Sequence, residues 1–345
     1  MASDTDDETQ TDGSTQTDDT GEHSGGESTL TVLLAGGINL AIAVLKALAG
    51  VLTGSAAMLS EAGHSVADTF TEVLLLTALR KSAKPADRRH PFGYGKERYF
   101  WSLLAAVSIF VSGAVFAFIQ GITTLSSGGQ EQESLLVAYI VLAVGFVLES
   151  VSWVQAFHQV RGEARAQQRS LRQFFRVTDD PTSQTVLFED SAALAGLLLA
   201  LGGIGLHQLT GAAVWDGVAS LLIGLLLAVV AYMMGRTNRG LLIGRQADPR
   251  TVRQIHTQLQ AAREVEALVD IQTMLLGTDS VLVCARLDFV DTLDSGELER
   301  ACLRLADELR EAVPDVTEVF LEPVPRTDRD LRQTVLERYG RPQDV

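Results

Sequence analysis

Hydrophobic and polar positions divide the chain into three stretches with different periodicities. Residues 1–29 are mostly Asp, Thr, Glu, Gly and Ser, with almost no apolar residue. Such a stretch buries too little surface to offset chain entropy, so a disordered acidic tail is expected. It has no basic start and no apolar run, so it does not read as a signal peptide. Six apolar segments follow: Leu30–Leu52, Ala56–Leu79, Tyr99–Leu125, Leu135–Phe157, Thr185–Leu206 and Val214–Gly235. Each is about 20 residues or longer, the length an α-helix needs to cross ~30 Å of hydrocarbon. Their frequent Gly and Ala suit close helix packing in lipid. From about Ala247 the period changes. Residues 249–263 read as an amphipathic helix, and Val265–Leu276 and Ser280–Val290 as strands about a Gly-Thr-Asp turn. Residues 295–313 are helical again, and Val316–Leu321 is a short strand before Pro323. The expected fold is a membrane all-α bundle of six transmembrane helices over 30–244, then a small α+β domain over 245–325. That domain has the order α-β-β-α-β, ferredoxin-like, and a C-terminal tail spans 326–345.

Basic residues orient this bundle. Arg80, Lys81, Lys84, Arg88, Arg89, Lys96 and Arg98 lie between segments two and three, and Arg161, Arg165, Arg169, Arg172 and Arg176 between four and five. Arg236, Arg239 and Arg245 follow segment six, while the other three loops carry no Lys or Arg. The positive-inside rule then gives a multi-pass cell-membrane protein with both termini in the cytoplasm. The 46% hydrophobic content and mean hydropathy of +0.17 agree with a membrane protein carrying a polar domain. The net charge of -15 is uneven: 1–29 holds nine acids and no Lys or Arg, 30–244 is nearly balanced, and the rest is acidic again. This acidity argues against nucleic acid, whose phosphates need basic patches. Two cysteines, Cys284 and Cys302, exclude a disulfide-stapled scaffold and a cysteine-rich zinc finger, and both read as packing residues.

Ionisable residues inside membrane helices are costly, so each is a functional candidate. Segment two carries Glu61, His64, Asp68 and Glu72. At about 100° per residue, all four fall within roughly 80° of arc on one face. His64 and Asp68, one turn apart at mid-depth, can grip one divalent ion. Segment five supplies Glu189 and Asp190; adjacent residues point about 100° apart, so only one is expected to face segment two. Glu149 in segment four reads as a packing or interfacial residue, and Asp216 as a helix-start acid. No nucleophile–base motif, nucleotide loop or haem signature points to an enzyme.

The layout of six helices, the stretch SAAMLSEAGHSVADTF around His64 and Asp68, the loop motif HPFGYGKERY and the cytoplasmic α+β domain together resemble the cation diffusion facilitator (cation efflux) family. VLFEDSAALAG and WDGVASLLIG resemble the branch of the animal zinc transporter numbered nine. The resemblance covers about Leu30 to Pro325 and implies export of Zn²⁺ or a similar divalent metal, usually against protons, by a homodimer. It also implies two metal ligands, four residues apart, on each of helices two and five. His64 and Asp68 fit the first pair. With Asp190 on the family acid and Gly196 six residues later, Val186 stands where the partner His or Asp belongs. Glu189, Glu61, Gln184 or a water then completes the shell. Asp87 and His90 match an auxiliary cytoplasmic site of some members, but Tyr94 replaces its second His. A structural turn, with Lys96 as an intracellular charge contact, is therefore favoured there. His256 is the only histidine of the C-terminal domain, which leaves a regulatory metal centre unsupported, and Glu322 reads as the remnant of an acidic ligand.

Ligand chemistry supplies the expected mechanism. Metal needs His64 neutral and its carboxylates ionised, so binding releases protons, and protons compete for the same place. Alternate opening of the bundle to the two sides would then exchange them. His and carboxylate ligands suit Zn²⁺ and also accept Mn²⁺, Fe²⁺, Co²⁺ or Ni²⁺. The competing expectation is a non-transporting membrane metal sensor or scaffold acting through its cytoplasmic domain. Charges retained in lipid count against it.

Overall fold

The computed structural model describes residues 39–127, 135–177 and 181–339. The acidic tail, the start of the first apolar segment, most of the 126–133 loop and residues 340–345 lie outside these. The described chain begins with helix α1, Asn39–Thr53. Helix α2 is Ala56–Ser82, and α3, Glu97–Ser108, runs through a π-helical turn at Ile109–Val115 into α4, Phe116–Ser127. Helix α5 is Leu135–Ala166, α6 the short Leu171–Val177, α7 Pro181–Thr210 and α8 Val214–Gly244. Among the described residues, four helical units are long and apolar enough to cross a membrane: α3–α4, α5, α7 and α8. At 27 residues α2 also has the length, but it carries Glu61, Asp68 and Glu72 besides His64.

Small residues let these helices meet. Ala57, Ala67, Ala106, Ala114 and Ala200 are buried around Met58, Ile223 and Leu227. A Cβ on Gly121 of α4 would lie 2.9 Å from the Gly217 carbonyl oxygen of α8, so this crossing brings backbone against backbone. Large apolar side chains such as Val111, Ile119, Leu136, Val147 and Leu225 point outward instead, the reverse of a water-soluble bundle.

The start of α2 is fixed from α8. Ser55 is the N-cap, accepting from the Met58 amide, and its hydroxyl donates to Asp216 at 2.7 Å. Asp216 also accepts from the Ala56 amide at 2.5 Å. This buried carboxylate therefore satisfies free amides at the positive end of a neighbouring helix, not of its own. Further along α2, Ser60 meets Ser220 of α8 at 2.5 Å, and Ser220 donates to the Ala117 carbonyl of α4.

The C-terminal region is a small α/β unit: α9 Pro249–Gln260, β1 Val265–Gly277, β2 Ser280–Phe289, α10 Ser295–Ala312, β3 Val316–Pro323 and α11 Arg329–Tyr339. The sheet order is β1-β2-β3; β1 and β2 pair antiparallel, and β3 runs parallel to β2 after its crossover through α10. Alternation along β2 sends Val281, Val283, Ala285 and Leu287 onto Ile255, Leu259, Leu305 and Leu309 of the two helices. Helix α10 opens with a capping box between Asp294 and Glu297. Helix α11 lies where a tail was expected. Its Val335 and Leu336 share a groove with Ala267 and Leu268 of β1.

This unit is tied to the helical part through the HPFGYGKERY loop. Gly95 packs on the Leu276–Gly277 backbone, and Arg98 Nη1 donates to Thr278 Oγ1 at 2.8 Å. Lys96, expected to make a charge contact, instead reaches Met274 Sδ at 3.6 Å. On the α5–α6 side, Arg169 pairs with Asp248, and Arg250 donates to the Gln167 carbonyl at 2.9 Å.

Candidate metal site

Helix α2 supplies the first half of the site. His64 Nδ1 lies 3.2 Å from Asp68 Oδ1, one turn on, and the histidine is 1% exposed. Apart from this contact, neither imidazole nitrogen nor Asp68 Oδ1 has a hydrogen-bond partner within the protein. Buried polar atoms left this way are open to a further group.

Helix α7 supplies the second half. Asp190 accepts from Ser152 Oγ of α5 at 2.8 Å, which fixes its carboxylate. Glu189 is buried, and its Oε1 has no partner. A cavity of about 300 Å³ lies between α1, α2, α5 and α7, and Asp68, Glu72, Glu149, Val186, Glu189 and Asp190 line it. Both Glu189 and Asp190 reach it, where only one of the two was expected, because the cavity is wide enough for adjacent residues to straddle. Val186 lies on the wall one turn before Asp190, so no fourth polar ligand comes from that position. Among the described residues no group of three or more His, Cys, Asp or Glu side chains converges closely enough to hold a metal ion.

The remaining candidates divide between the cavity wall, which Glu72 joins, and places away from it. Gln184 donates to the Phe175 carbonyl at 3.3 Å and is absent from the cavity wall. Glu72 accepts from Asn39 of α1. Glu61 is fully buried behind the cavity, with its Oε2 3.3 Å from Lys46 Nζ of α1. Lys46 was missed in the sequence. The signal was present, since it is the only Lys or Arg in the first apolar segment.

Residues 32–243 match the cation efflux transmembrane domain. The chain belongs to the cation efflux family. This cation efflux protein is 37% identical over 264 residues to the proton-coupled zinc antiporter SLC30A9, mitochondrial, of Xenopus laevis, an alignment covering 76% of this chain and 46% of the relative. It is 36% identical over 258 residues to the Homo sapiens protein of the same name, covering 75% and 45%. With metal tolerance protein C4 of Arabidopsis thaliana it shares 32% identity over 237 residues, covering 69% and 52%. The chain thus spans about half the length of the curated relatives it matches. The family is one of transporters, not enzymes.

In the loop of this cation efflux protein, Asp87 and His90 do meet, with Nδ1 and Oδ1 3.6 Å apart. Tyr94 closes the turn by donating its hydroxyl to Asp87 Oδ2 at 2.8 Å. The His90 backbone amide and the Tyr94 hydroxyl hold the Asp87 carboxyl below its ordinary range, and the same bond lifts the Tyr94 phenol. A hydroxyl thus occupies the carboxylate face that a second imidazole would share with a metal. In the C-terminal region Glu322 receives Arg286 Nε at 2.7 Å, an ion pair that already engages the suspected remnant ligand. His256 is exposed on α9. Cys302 packs against the domain core, but Cys284 does not: strand register places it opposite Gln272 and Phe320 on the face away from the helices. Partial burial lifts both thiols above their ordinary range.

Proposed function

We propose that this cation efflux protein exports divalent metal ions, Zn²⁺ foremost, from the cytosol in exchange for protons by alternating access. The observation that carries the reading is the buried His64–Asp68 pair, whose Asp68 lines a cavity that also receives Glu189 and Asp190. We assign His64, Asp68 and Asp190 as ligands, with Glu189 in the place Val186 leaves open. Mn²⁺, Fe²⁺, Co²⁺ and Ni²⁺ are the other ions such donors accept. In this reading α1 and α2 also cross the bilayer, giving six spans. Both termini lie on the cytoplasmic side of the cell membrane, and two copies pair partly through their C-terminal domains. The mitochondrial location in the SLC30A9 names belongs to those relatives.

The chemistry follows from the donors. An entering cation displaces protons from His64 and the carboxylates, and returning protons release it. From Asp68 to Leu75 the cavity wall runs toward the α2 end that carries Arg80 and Lys81, so metal enters from that side. Toward the opposite end, the contacts of Asp216 and Ser220 with α2 close the bundle. Val186 on the cavity wall favours the metal sensor as the second reading.

Equilibrium Zn²⁺ binding to purified protein, paired with ⁶⁵Zn uptake by proteoliposomes, tests the proposal. Wild type binds and accumulates zinc, and Asp190→Ala weakens both by about tenfold or more, since even outer partners of a metal ligand are worth about that much. Binding without uptake favours the sensor; neither binding nor uptake excludes both.

A further inference from the structure

Lys46 and Glu61 are each 0% exposed in the middle of a membrane bundle. The ammonium donates to Ser65 Oγ at 2.8 Å, faces Glu61 Oε2 at 3.3 Å and stands 4.0 Å from Glu149 Oε1. It therefore joins α1 to α2 and α5 at one point. A buried ion pair stabilises weakly, because desolvation offsets most of its attraction, and an apolar pair of similar volume is often as stable. Packing alone is a poor reason for a lysine here.

Its position suggests a better one. Glu61 precedes His64 by three residues on the same face of α2, so its carboxylate belongs to the same neighbourhood as the metal ligands. His64 lies within electrostatic reach of both Glu61 and Lys46. Glu61 Oε1 has no partner and is pressed against Gly196 of α7, where a Cβ would collide with it. With Oε2 held by Lys46 and Oε1 confined against Gly196, Glu61 is kept from turning toward His64. The cavity wall itself carries five carboxylates and no Lys or Arg.

We propose that Lys46 is a positioning residue: a tethered counter-cation that holds Glu61 out of the metal's ligand shell and so sets how tightly the site grips its ion. The inference rests on the transport reading above. Without Lys46, Glu61 is a further carboxylate for the metal, which binds more tightly and leaves more slowly. Without Glu61, the ammonium keeps only the longer 4.0 Å approach to Glu149, and its poorly compensated charge repels the entering cation.

The two single substitutions therefore act in opposite directions. In ⁶⁵Zn uptake by proteoliposomes, Lys46→Met lowers KM and kcat together, and Glu61→Gln raises KM by about tenfold or more, as expected for one uncompensated charge nearby in a medium of effective dielectric ~20. Lys46→Met/Glu61→Gln, which removes both charges, returns KM to within about threefold of wild type, about 0.6 kcal/mol. KM shifts of the same sign, or a double variant worse than either single one, overturn the proposal and leave Lys46 a packing residue. Should Lys46→Met fail to fold, Glu61→Gln and the double variant decide by the same criterion. Absent uptake by wild type would instead sink the transport reading, so the two failures are distinguishable.

Discussion

Val186 is the residue on which metal preference turns. It lines the cavity one turn before Asp190, and a histidine there would stand at i and i+4 with that acid, as His64 does with Asp68. Four protein ligands in tetrahedral reach favour Zn²⁺ over ions that prefer more oxygen donors. Val186→His should therefore raise the preference for Zn²⁺ over Mn²⁺ by about tenfold, measured by competition between the two ions in uptake; an unchanged ratio would mean that this position lies outside the ion's reach. At this scale His64 and Asp68 were legible because one helix fixes their spacing. The partners of Glu61 and Asp216 were not. Lys46 and Ser55 belong to other stretches of chain, and no local period shows which buried charge meets which.

Among elements, the start of α2 depends on a carboxylate lent by α8. Removing it leaves the Ser55 hydroxyl and the Ala56 amide without their acceptor inside the bundle. Asp216→Ala should lower stability by about 1–3 kcal/mol in denaturant titrations while zinc KM stays near wild type; a lost metal affinity with intact stability would instead place Asp216 in the ion path. The HPFGYG turn gives a pH test. Asp87 is held below its ordinary range first by the His90 amide and then by the Tyr94 hydroxyl. A lowered folded value favours the closed turn above the unfolded value, and that support fades as pH falls through the folded one. Tyr94→Phe should move the Asp87 titration upward, toward the ordinary carboxylate value, in carbon-detected NMR. Zinc uptake should be unaltered, and a clear loss of uptake would restore a metal role to this loop. Strand β2 was readable from alternation because one of its faces is buried, whereas burial along β1 and β3 does not alternate. Helix α11 was not, because few apolar residues interrupt its charges. Cys284 was misread as packing because alternation gives two faces without saying which one the helices cover.

For the whole molecule, six apolar segments were expected to give six spans, and four helical units meet the length and hydropathy of a span among the described residues. Of the other two, α1 is described only as the shorter Asn39–Thr53, and α2 falls short because it carries the charges that the proposed function needs. Arg98 to Thr278 and Arg169 to Asp248 attach the α/β unit at two separate loops, so a movement of α2–α3 relative to α5–α6 would be felt there. The most direct measurement is simultaneous recording of metal and proton flux in proteoliposomes holding a pH-sensitive dye, comparing wild type with Asp68→Ala over Zn²⁺, Mn²⁺, Fe²⁺, Co²⁺ and Ni²⁺. Exchange predicts that Zn²⁺ entry raises the internal pH as protons leave, and that both signals vanish in the variant. Zinc entry with no pH change, or equal fluxes in the two proteins, would contradict proton exchange through this site.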